Sequence, residues 1–140
     1  MRSILAVLPL LVLSGCASYQ NDEARPVPSD RLLAYQQAGK DSVQVDVTRD
    51  SGFLGGGCYV AVTIDQAVAA RIGSGESASF HVPAGQHVVG IIGDKDGDGL
   101  CSKAMLRREL LVSLEPGNDN RFRINSDNRA GFDIKPVVAR

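Results

Sequence analysis

The feature that most restricts how this chain can fold is a period-2 alternation of apolar and polar residues, broken by turn signals roughly every eight to twelve positions. Val43, Val45 and Val47 alternate with Gln44, Asp46 and Thr48, the pattern of a strand with one buried face. Tyr59 to Ile64 repeats it, with Val60, Val62 and Ile64 expected inward; Asp65-Gln66 turns the chain and Val68 to Ile72 returns. Beyond Gly73-Ser74-Gly75-Glu76, residues Ala78, Phe80 and Val82 alternate with Ser79 and His81. Pro83-Ala84-Gly85-Gln86 supplies the next turn, and His87 to Ile92 reads as an apolar strand. Leu106, Arg108, Leu110, Val112 and Leu114 hold the period across Arg107 and Glu109, and Glu115-Pro116-Gly117-Asn118 turns again. Arg121 to Ile124 and Phe132 to Lys135 close the series. Roughly eight short strands so spaced predict an all-β domain, a β-sandwich or small barrel. The core must be aliphatic, because the chain has no Trp and only 5% aromatic residues.

Ahead of the strands the chain changes character. Ser29 or Asp30 can cap a short helix reaching about Gln37, with Leu32, Leu33 and Gln36 on one face and Gly39 ending it. Residues 17–30 are polar and contain Pro26-Val27-Pro28, which favours an extended form over a helix or sheet interior. This stretch reads as a tether, spanning on the order of 20 Å by random-coil scaling. The first sixteen residues look like a bacterial lipoprotein signal peptide. Arg2 precedes an apolar run from Ile4 to Leu13, and Leu13-Ser14-Gly15-Cys16 places small residues just before a cysteine. The run is about ten residues, short of the roughly 20 that a transmembrane helix needs. Cys16 is expected to become the lipidated first residue of the mature chain; the plainer alternative is a secretory signal with an incidental cysteine. The expected organisation is a signal over 1–15, a lipidated cysteine and tether over 16–30, and one β-domain over 31–140. Loss of Arg2 with the signal takes the formal net charge from −1 to −2. A near-neutral chain with interspersed charges argues against nucleic acid and against a polybasic attraction to lipid headgroups.

With Cys16 assigned to lipid, Cys58 and Cys101 remain. An even pair in an exported chain favours a disulfide, which in the chain-entropy model would stabilise the fold by about 4 kcal/mol. Metal ligation and nucleophilic chemistry are the alternatives. Structural zinc wants four Cys or His ligands at tight spacing, and an iron–sulfur cluster wants several thiolates.

The sharpest motif is Asp94-Lys95-Asp96-Gly97-Asp98-Gly99, which matches the opening of a calcium loop: carboxylates at i, i+2 and i+4 around a glycine bend can converge on a hard cation. The position that should carry a bidentate Glu is Met105, and strands flank the motif instead of helices. A compact calcium loop through Asp94, Asp96 and Asp98, with Leu100 giving its carbonyl and Ser102 or Glu109 helping, stands against an ordinary acidic hairpin loop. His81 and His87 flank the Pro83–Gln86 turn and could approach across a hairpin, yet no spacing gives them a third ligand or a nucleophile. Arg107, Arg108, Arg121 and Arg123 alternate with acids, as on a solvated face or a blunted sheet edge. The glycine-rich run Ser51–Gly57 precedes a strand and lacks the lysine of a phosphate cradle.

Arg71-Ile72, Glu76, Phe80-His81-Val82-Pro83-Ala84-Gly85 and His87 resemble the turn motifs of small bacterial envelope modules of the PEGA-like and DUF2846-like kind. Gly57-Cys58, Leu100-Cys101, Arg107-Arg108-Glu109-Leu110 and Gly131-Phe132-Asp133-Ile134 are similar to a narrower set of envelope lipoproteins of unassigned biochemistry. The match spans about residues 42–137 and rests mostly on turn chemistry. It implies a small Ig-like or PEGA-like β-sandwich with a Cys58–Cys101 bridge and no catalysis. Ala17 follows the cysteine instead of the aspartate that marks inner-membrane retention, which implies an outer-membrane lipoprotein facing the periplasm. The expected role is a non-catalytic binding or structural module, membrane-attached through its lipid, with an envelope protein as partner and no resident cofactor. The alternatives are a calcium-stabilised module and an inhibitor or stress-response lipoprotein that caps a periplasmic protein.

Overall fold

The computed structural model describes residues 24–51, 57–127 and 131–138. Cys16 and the signal segment lie outside them, as do residues 52–56 of the glycine-rich run. Among the described residues there are nine strands: β1 (Arg25–Pro26), β2 (Ser42–Arg49), β3 (Val60–Ile64), β4 (Ala67–Ile72), β5 (Glu76–Pro83), β6 (Gly85–Gly93), β7 (Arg107–Leu114), β8 (Arg121–Asp127) and β9 (Gly131–Pro136). They form two sheets, ordered β1-β5-β2-β8-β9 and β4-β3-β6-β7. The arrangement is sandwich-like, with almost no helix and one disulfide. Pairing is antiparallel except for β1 with β5 and β2 with β8.

The alternation read in the sequence becomes the core. Val45 and Val47 are fully buried, and across the sheet Val45 faces Phe80 while Val47 faces Ala78. Such large-against-small pairs fill one inner face. The other sheet supplies Val62, Ile64, Ile72, Val89 and Ile91, all with no exposed surface. Burying each of these side chains contributes about 1.5–3 kcal/mol. β3, held between β4 and β6, is buried at all five positions.

Two local readings are corrected. The α-helix expected from Ser29 or Asp30 to Gln37 is not formed; Ser29–Arg31 makes one 3-10 turn with no side-chain cap. Tyr35 takes a φ of 60°, which ends any helix there. The segment instead bonds to both sheets: the Leu33 N–H donates to the Ala69 carbonyl (2.8 Å), and the His81 N–H donates to the Tyr35 carbonyl (2.7 Å). Tertiary hydrogen bonds outweigh a weak helical preference. The stretch read as tether is also docked at its end, since β1 pairs with Glu76–Ser77 and Val27 is buried.

The Pro83–Gln86 turn does not make a hairpin. β5 and β6 belong to different sheets, and Gly85, at a φ of 128°, permits the corner by which the strand changes layer. Asp65 and Gln66, at φ of 49° and 70°, form the two-residue turn between β3 and β4.

Candidate functional site

At one end of the sandwich, where β4 and β6 finish and β3 and β5 begin, a groove of about 470 Å³ opens beside the disulfide. Tyr59, just before β3, forms its wall. The Arg31 guanidinium lies 4.1 Å from the Tyr59 ring centre and that of Arg71 lies 5.1 Å from it. Each cation is held by its own carboxylate. Arg31 donates to both oxygens of Glu76 (2.7 and 2.8 Å) and to the Arg71 carbonyl (3.0 Å). Arg71 donates through Nε and Nη2 to Asp94 (2.8 and 2.7 Å). Planar forks of this kind are among the strongest hydrogen bonds available to side chains.

The turn chemistry of the sequence builds this arrangement. In the Gly73-Ser74-Gly75-Glu76 turn, Gly75 takes a φ of 70°, so the Gly73 N–H can reach the Glu76 carboxylate at 3.0 Å. Burial alone would push the Glu76 carboxyl up; the bonds from Arg31 and Gly73 outweigh it and hold it below its ordinary value. Arg31 and Arg71 are pushed up, first by their bonds to Glu76 and Asp94. Deeper in, Arg49 is 2% exposed and donates to the carbonyls of Cys58 (2.8 Å) and Ile72 (2.9 Å), with the Phe132 ring 4.9 Å away. Desolvation lowers its pKa against the pull of Glu76.

The Cys58–Cys101 disulfide, with its Cα atoms 5.4 Å apart, pins the 3-10 turn Gly99–Lys103 to the start of β3. The acidic loop passes beneath it. Gly97 packs where any Cβ would come within 2.8 Å of Cys101 Cβ, so this position requires glycine. Of the three carboxylates read as a calcium loop, Asp94 is engaged within the protein. Both oxygens of Asp94 are taken by Arg71, Asp94 is 2% exposed, and Asp96 and Asp98 point to solvent. Among the described residues no three His, Cys, Asp or Glu side chains converge as a metal would need. The cation that satisfies Asp94 is a guanidinium.

His81 and His87 lie on strands of different sheets. His87 places Nδ1 2.6 Å from Asp65 and Nε2 2.6 Å from the Pro83 carbonyl, clasping two turns together. The His87 bond, followed by the Val88 N–H, lowers the Asp65 carboxyl. A main-chain carbonyl occupies the position at which a relay would hold a nucleophile. Arg107, Arg121 and Arg123 pair with Glu109, Asp119 and Asp50, as expected of a solvated face.

Sequence reasoning missed Tyr59, Arg31, Arg49 and the pairing role of Arg71 and Glu76. The available signal was a cationic residue at the end of an apolar strand, directly before a glycine turn that carries an acid. Comparison of the chain with family models, with curated proteins and with solved structures finds no match.

Proposed function

We propose that this protein is a lipid-anchored module of the bacterial outer membrane, facing the periplasm, that acts by binding or by structure and not by catalysis. The observation that carries the reading is the Cys58–Cys101 disulfide, a bond that persists in oxidising compartments and is rare in the cytosol. It agrees with the Leu13-Ser14-Gly15-Cys16 motif, in which Cys16 would receive the acyl chains. An Ig-like or PEGA-like topology is the finer form of the fold within this reading. Toward a partner, the groove offers the half-exposed Tyr59 ring, the exposed Arg25 and the carboxylates of Asp96 and Asp98. Membrane attachment raises the effective concentration of the module, so modest contacts suffice.

A second reading, an inhibitor or stress-response module that inserts a loop into a periplasmic protein, is favoured by Leu100. This side chain is 84% exposed on the disulfide-pinned turn, the kind of rigid apolar anchor that interfaces use.

The test is Cys16→Ser. The variant should keep its far-UV circular dichroism and move from the membrane to the soluble periplasmic fraction; unchanged membrane fractionation overturns the anchor. Crosslinking in intact envelopes then separates the two readings. If Leu100→Asp abolishes the principal crosslinked neighbour, the inserting loop is supported; if it does not, the groove is.

A further inference from the structure

β7 is the outermost strand of its sheet. β6 takes one of its edges, and among the described residues no strand pairs with the other. The other three edges are short or blunted, β1 being only two residues long. β4 is met by the Leu32–Ala34 segment, which bridges Ala70 and bonds to Ala69. β9 is shorter and ends in Pro136, which has no N–H to offer. β7 runs for eight residues and carries Leu111, 74% exposed on its outer face. An open edge of that length is a template for another strand.

We propose that β7 pairs antiparallel with β7 of a second copy of this chain, about a twofold axis through Leu111. The charge pattern selects this register. Within β7, Leu111 then meets Leu111, Leu110 meets Val112, Glu109 meets Ser113 and Arg108 meets Leu114; Arg107, which bonds Glu109 in its own strand, comes opposite Glu115, the first residue beyond β7. The outer face of β7 therefore sets leucine against leucine and acid against hydroxyl with no like charges opposed, and just past the strand end it brings a cation opposite an acid, a favourable cross-strand combination. Moving the axis to Val112 sets Glu109 against Glu115, and moving it to Leu110 sets Glu109 against Leu111; both are poorer. The contact is isologous, so it closes on a dimer and does not propagate. It joins two four-stranded sheets into one continuous sheet, and it does not depend on acylation of Cys16.

The test is a register-specific crosslink in the full chain. Cys58 and Cys101 are already bonded to each other, so Leu111→Cys adds a thiol whose partner across the axis is its own copy. Opposed Cα atoms in such a pair lie about 4.5–5.5 Å apart, within disulfide reach. Under copper phenanthroline, Leu111→Cys should form a covalent dimer about tenfold faster than Ser113→Cys, with a 111–111 linked peptide. Mixing Glu109→Cys with Ser113→Cys chains should restore fast crosslinking. Arg107→Glu should weaken the dimer and Arg107→Glu with Glu115→Arg should recover it. Equal crosslinking at positions 111 and 113, a monomer at all concentrations, or no recovery by the charge swap would overturn the proposal.

Discussion

The Arg71–Asp94 pair supports an asymmetric prediction. The Asp94 side chain is 2% exposed and that of Arg71 is 21% exposed. Arg71→Met keeps the aliphatic stem but strands a buried carboxylate without its cation, a loss of about 3–5 kcal/mol for a broken buried pair. Asp94→Asn leaves a guanidinium that can turn toward water while still lying against Tyr59, so its cost is about 1–3 kcal/mol. For a domain of this size each kcal/mol corresponds to about 4 °C in Tm. The expected falls are then about 12–20 °C for Arg71→Met and about 4–12 °C for Asp94→Asn. Urea unfolding followed by far-UV circular dichroism measures both, since the chain has no Trp. The double variant should cost less than the sum of the singles by about 1–3 kcal/mol, the coupling of two groups in contact. Equal single costs, a larger cost at Asp94, or strict additivity would refute the reasoning.

Three further outcomes follow from the same geometry. Replacing both Cys58 and Cys101 by serine should lower stability by about 4 kcal/mol, measured by urea unfolding; no loss would mean the bridge constrains nothing. Glu76 is held below its ordinary value, so its contribution is present at neutral pH and fades as pH falls below 4.5 toward the folded value. Glu76→Gln should therefore be less stable at neutral pH and flatter in stability over that acidic range; an unchanged slope in a pH series of melts would count against the Arg31 fork. Because Arg71 already satisfies Asp94, millimolar calcium should leave the Tm unmoved, and a clear upward shift would restore a calcium loop.

The strands were legible because alternation and turn residues act locally. Val43, Val45 and Val47 needed only a partner face, and any sandwich provides one. The helix at Ser29–Gln37 was misread because the decisive partners, Ala69 and Glu76, lie some 40 positions away. The same distance hid the site. Arg49 continues the β2 alternation at an inward position, but a buried arginine reads as impossible until carbonyls from two other segments are placed around it. Asp94 was singled out as a carboxylate wanting a cation, and the cation it meets in the structure is the Arg71 guanidinium, 23 positions away. His87 could have approached His81 had the Pro-Ala-Gly turn made a hairpin; the strand changes sheet there instead. The disulfide was the one long-range contact that residue counting alone made plausible.

The central claim is an exported chain whose Cys16 carries acyl chains while Cys58 and Cys101 carry a bridge. Intact mass spectrometry of the protein extracted from native membranes, before and after alkylation, tests both parts together. The account predicts a chain beginning at Cys16 with added acyl mass and no alkylation at Cys58 or Cys101. An unmodified amino terminus, or alkylation of both later cysteines without prior reduction, would contradict it.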